Sequence, residues 1–181
     1  MQKQKYSFTL IELLIVLIII GILVTLAIPQ IQGIIISSKM KELYDSIAAI
    51  EKAEEMFYYE VGYYAAFQLE PAEYRIGNTW TQAGIDQYKK VLGITLPGIN
   101  SIFVYGCGSY TSSGGYVADK AVCFNIFVRA YPQYYILAQI EFRRGVNNVK
   151  TPTRWIVNSD HPWAKYLKPP TDYDMFPFGH L

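Results

Sequence analysis

One carboxylate stands alone in the most apolar stretch of this chain. From Phe8 to Ile28 the sequence reads FTLIELLIVLIIIGILVTLAI, interrupted only by Thr9, Glu12 and Thr25. A carboxylate inside a membrane-spanning segment costs about 3 kcal/mol on insertion scales, so it is usually kept for a partner. No Lys, Arg or His of the run lies within a helical turn of Glu12. The cation must therefore come from another chain, or from a terminus that cleavage creates. A cut between Ser7 and Phe8 places a new α-amino group four residues before Glu12. That amine could serve Glu12 of its own chain or of a neighbour. The chemistry on offer is charge pairing.

The other reactive side chains form no catalytic set. His161 and His180 are the only histidines, and neither belongs to a nucleophile–base arrangement. Asp160-His161 and Asp172-Tyr173-Asp174 carry ligand atoms, but the acidic residues are too few for a calcium loop. No glycine loop of phosphate-cradling type occurs, and the two cysteines are not a CxxC pair. The reading is no enzyme, no metal and no cofactor. Fifteen residues separate Cys107 from Cys123. In the cytosol both would stay reduced; with the domain carried across the membrane, Cys107 and Cys123 are expected to form a bridge worth roughly 3 kcal/mol of stability.

The element that positions Glu12 is a helix. The 21 residues Phe8–Ile28 span about 30 Å as a helix, one hydrocarbon core. Lys3 and Lys5 precede the run and few charges follow it at once, which puts the N-terminus in the cytoplasm and carries the rest across. A secretory signal would be cut after its apolar run at small residues. Here Ala27-Ile28-Pro29 leads into more helix-compatible sequence. An uncleaved membrane anchor is the plain alternative.

Helix-compatible sequence continues to Val61. Ile36, Met40, Leu43, Ile47, Ile50, Phe57 and Val61 make an amphipathic stripe, with Glu54 in its one odd slot and Ala53 placed to bypass it. Gly62 suits a left-handed cap. Gly21 and Pro29 weaken the first half, since proline cannot donate to the carbonyl of Thr25. Beyond residue 62 the pattern predicts a short helix over 86–92 and strands over 102–107, 117–129, 134–143 and 154–157. Alternation is clearest in the third, where Ile136, Ala138, Ile140 and Phe142 share a face. The tail from Pro162, rich in proline and aromatic residues, reads as irregular. The expected fold is α+β: a long N-terminal helix on a small antiparallel sheet.

These residues carry a resemblance. Phe8-Thr9-Leu10-Ile11-Glu12-Leu13-Leu14, then Gly21 and Pro29, resembles the N-terminus of type IV prepilins and type II secretion pseudopilins. It implies four segments: leader 1–7, polymerisation helix 8–29, amphipathic continuation 30–62 and a pilin-like domain 63–181. It further implies cleavage between Ser7 and Phe8 by a prepilin peptidase, N-methylation of Phe8, and assembly through Glu12, Gly21 and Pro29. The stretch from Gly21 to Pro29 would loosen when subunits pack. Glycine usually precedes the cut in that family, and Ser7 departs from it. The implied location is the inner membrane before assembly and a surface or periplasmic filament afterwards. The implied partners are further copies in a helical filament, the peptidase and an assembly platform.

Charge refines the choice of function. A net charge of +1 argues against a dedicated nucleic-acid binder. Residues 42–86 carry nine acidic groups against Lys52 and Arg75, while residues 87–168 carry ten basic groups against Asp119, Glu141 and Asp160. Such segregation lets the acidic helix half of one subunit attract the basic domain of the next. Three functions remain: a pilin, a pseudopilin of a secretion or DNA-uptake filament, and a monomeric membrane-anchored binding domain.

Overall fold

The computed structural model describes residues 9–65, 75–98, 101–110, 123–130, 135–143, 150, 152–170 and 173–176. The chain divides into two compact units, Met1–Ser38 and Lys39–Leu181. Helix α1 runs Leu10–Val61 and passes Gly21 and Pro29 without interruption. Every residue from 9 to 32 is exposed. A helix that is apolar all round and unburied lacks its solvent or its neighbours. By length and composition it is able to cross a membrane.

From Met40 onward α1 buries one stripe. Met40, Leu43, Ile47, Ile50 and Phe57 fall below 7% exposure, as the periodicity predicts. Burial of each such side chain contributes about 1.5–3 kcal/mol. Glu54 departs from expectation. It is not bypassed: Ala53 and Glu54 are both buried, Glu54 completely. Its Oε2 accepts the Ala65 N–H at 2.9 Å. The helix ends where Gly62 turns to φ 91° and donates to the Tyr58 carbonyl. The chain then folds back, the Tyr64 hydroxyl donating to Glu55 at 2.6 Å.

Helix α2 spans Gln82–Leu92 and starts four residues before the predicted 86. Thr81 caps it by accepting the Gly84 N–H, and Gly93 closes it in the left-handed region. Strands β1 (Phe103–Tyr110), β2 (Cys123–Ala130), β3 (Tyr135–Arg143), β4 (Arg154–Asn158) and β5 (Tyr173–Phe176) form one sheet in that order. The first three pairings are antiparallel, whereas β4 and β5 are parallel. The sheet is thus mixed rather than purely antiparallel. The long connection from 159 to 172, with a 3₁₀ turn at Ala164–Tyr166, is what permits a parallel return.

The helix and the inner face of the sheet make the core. Tyr105 of β1 is buried beside Ser46 of α1, and Tyr44 meets Trp155 of β4 edge-on at 5.7 Å. Glu51 of α1 accepts from Lys150 and from Thr153 just before β4. Part of the charge complementarity expected between subunits is therefore satisfied inside one.

The register also bears on the cysteines. Cys107 pairs with Ile126, and Cys123 pairs with Tyr110. The two lie on adjacent strands but three positions apart, about 10 Å along the strand. A disulfide needs Cα atoms within about 7 Å. Their side chains lie outside the described residues, and the bridge remains a proposal that needs β1 and β2 to pair out of this register here. Alkylation of the native protein without reductant tests it, blocked thiols supporting the bridge and free thiols ruling it out.

Candidate functional site

The N-terminus of α1 is built around Glu12. Thr9 precedes the first helical residue, and its side chain accepts the Glu12 N–H at 3.3 Å. Glu12 Oε2 reaches back to accept the Thr9 N–H at 2.9 Å and the Thr9 hydroxyl at 2.8 Å. These reciprocal bonds form a capping box, which satisfies donors that a helix start leaves orphaned. The lack of a cation near Glu12 does not reveal it; the Thr-x-x-Glu spacing at the start of the apolar run does.

Two consequences follow for the site's chemistry. The carboxylate is held at the very start of the helix, directed toward the residues that precede it. Both Thr9 bonds also land on one oxygen, and Oε1 has no described partner. A carboxylate has about four lone-pair sites, so it can accept an ammonium group without giving up the cap. Ser7 and Phe8, the sequence-predicted cleavage pair, lie outside the described residues. Gly21 and Pro29 are on the same helix but far along it, one at least two turns from Glu12 and the other more than four. Gly21 has nothing within 4 Å of where a Cβ would stand. Thr25, four residues before Pro29, turns its hydroxyl to the Ile22 carbonyl at 2.8 Å.

The remaining candidates are dispersed. Burial lowers the pKa of the His161 imidazole, whose Nδ1 accepts the Trp163 N–H at 3.1 Å. Asp174 pairs with Arg154 through both Nε and an Nη atom. Asp172 and His180 lie outside the described residues. Among the described residues no group of three His, Cys, Asp or Glu side chains stands ready to hold a metal ion.

Residues 2–28 match the family model of the prokaryotic N-terminal methylation motif. No curated protein and no solved structure matches the chain. The match takes in the polar residues before the apolar run and the run itself, within which the cap and Glu12 lie. The N-terminal segment is a type IV prepilin-like signal, and with an α+β domain after its long helix the protein is pilin- or pseudopilin-like. Its apolar helix suits it to membrane anchoring as a precursor.

Proposed function

We propose that this protein is a structural subunit of a type IV pilus-like filament. A prepilin peptidase cuts between Ser7 and Phe8 and methylates Phe8. The matured subunit leaves the inner membrane, in which its domain faces outward, and packs its apolar helix against those of other copies. The observation that carries this reading is Glu12: a carboxylate kept within an otherwise apolar helix start, inside a segment that matches the methylation motif. The cap needs only an acceptor, which glutamine would also supply, and an anchor has no further use for the charge. A polymer uses it to choose one register, because a misplaced neighbour leaves it buried without a cation.

Cleavage exposes the amine that the carboxylate needs. Within a neighbour-lined, water-poor core such a pair is much stronger than in water. Gly21 and Pro29 supply the places where the helix yields as copies pack, since each weakens its turn. The test is the intact mass of the protein taken from assembled material in cells carrying the processing peptidase. The expected chain begins at Phe8 and is heavier by one methyl group. Met1 retained on assembled protein would defeat the reading. Material sheared from the cell surface identifies a surface pilus; filaments confined to the envelope identify a pseudopilus.

A further inference from the structure

Two features of the Lys39–Leu181 unit remain unexplained by the helix-driven polymer. The first is a cleft. Alternate residues of β1 and β2 point away from α1: Tyr105 faces Ser46, so Gly106 and its partner Phe127 face the other side, with Arg129. There Asn78, Trp80, Gly106, Phe127, Arg129 and Ile136 help line a cleft of about 230 Å³. The Arg129 guanidinium lies 4.8 Å from the Trp80 ring centroid, and Trp80 is 47% exposed. Arg129 and Ile136 flank the register shift between β2 and β3. Such irregularities re-aim side chains and recur beside binding sites. Among the described residues the lining carries a positive charge and no carboxylate.

The second feature is a knob. On the side of α1 away from the sheet, Met56 is 58% exposed and Tyr59 77%, with the exposed Glu60 beside them. Tyr59 is the most exposed large apolar side chain described in this unit. Small-molecule sites usually run to about 300–1,000 Å³, which makes this cleft the size for a single aromatic side chain. Its charge is opposite to that of Glu60. Knob and cleft also lie on opposite faces of a two-layer unit, helix outside on one and sheet outside on the other. A contact between such faces joins different patches of two copies, and contacts of that kind propagate instead of closing into a pair.

We propose that Tyr59 of one copy docks in the Trp80–Arg129 cleft of a second copy, with Glu60 meeting Arg129. The inference rests on the filament reading and adds to it a contact between the exported domains. The aromatic ring anchors the contact in a pocket. The charge pair fixes which way round it enters, as rim pairs do.

The test uses the full-length chain, co-expressed with its processing and assembly machinery, with p-benzoylphenylalanine in place of Tyr59. Irradiation is expected to link two copies, with adducts mapping to the β1–β2 face and to Trp80. Arg129→Glu should cut the yield about fivefold or more, and adding Glu60→Arg in the same chain should restore it. Adducts elsewhere, adducts to another protein, or yields indifferent to both charge reversals overturn the contact. If filaments assemble in those samples, the contact falls alone. If the unsubstituted chain forms none either, the filament reading falls with it.

Discussion

Glu12→Val is expected to insert into the membrane as well as the native chain, or better, and to form no filaments. Insertion follows apolarity, and replacing a carboxylate with valine removes about 3 kcal/mol of unfavourable transfer. The capping box disappears as well. Losing the Thr9 bonds costs the helix start about 1 kcal/mol. That is too little to unfold a 52-residue helix. Assembly is another matter. Without the carboxylate a neighbour's α-amino group would enter the apolar core with no counter-charge, and leaving one member of a buried pair alone costs about 3–5 kcal/mol. Repeated at every subunit, a penalty of that size stops growth. Glu12→Gln keeps the cap, through its amide oxygen, and loses only the charge; a partial defect is expected. Thr9→Ala loses the hydroxyl half of the cap and keeps the charge, so it should assemble nearly as the native protein does. Filament yield, measured beside membrane-fraction abundance, separates the three. Native yield from Glu12→Val would leave a membrane anchor as the better account.

How much of this was legible in the sequence depended on the kind of signal. The apolar run, the stripe from Met40 to Phe57 and the Gly62 stop rest on periodicity and backbone sterics, which act locally, and each appears where the pattern puts it. Strand β3 follows its alternation from Ala138 to Phe142, but the register shift beside Val128 buries Leu137 and places Ile136 with Arg129 on the other face. Three features were hidden because tertiary context decides them. Helix α2 begins at Thr81, where a capping threonine outweighs the poor helix former Gly84. Strand β5 is four residues in a proline-rich tail and exists only because β4 offers it an edge. Glu54 looked like a polar slip in an apolar stripe. Nothing in the helix pattern says that the Ala65 N–H returns to meet it. At the site, Glu12 stands out in the sequence as a charge without a cation, whereas its hydroxyl partner Thr9 reads as one more uncharged residue of the run. The cleavage pair and the cysteine side chains lie outside the described residues.

The buried Glu54 makes stability depend on pH in an unusual direction. Desolvation, with a smaller push from Glu55, raises its pKa well above the ordinary carboxylate value, and the Ala65 N–H opposes this only in part. In the unfolded chain the same group loses its proton near pH ~4.3. Between those two pKa values the folded state holds a proton that the unfolded state has released, so raising the pH draws the equilibrium toward unfolding. The contribution is complete below the unfolded pKa and is lost as pH climbs through the folded one. This is opposite to a salt-bridged carboxylate. Among the described residues Glu55 is the charged group that acts on it, and Lys150 pairs with Glu55 at 3.9 Å as well as with Glu51 at 2.5 Å. Glu54→Gln keeps an acceptor for the Ala65 N–H and cannot ionise. It should match the native protein in acid and exceed it at neutral pH and above. Glu54→Ala strands a buried N–H and opens a void, a loss of about 1–3 kcal/mol from the hydrogen bond alone. Urea unfolding of the detergent-solubilised chain from pH 4 to pH 9, followed by tryptophan emission from the buried Trp155, tests both. If Glu54→Gln only shifts the native curve without flattening it, the folded protein carries Glu54 as an anion, and its burial must then be compensated by a cation outside the described residues.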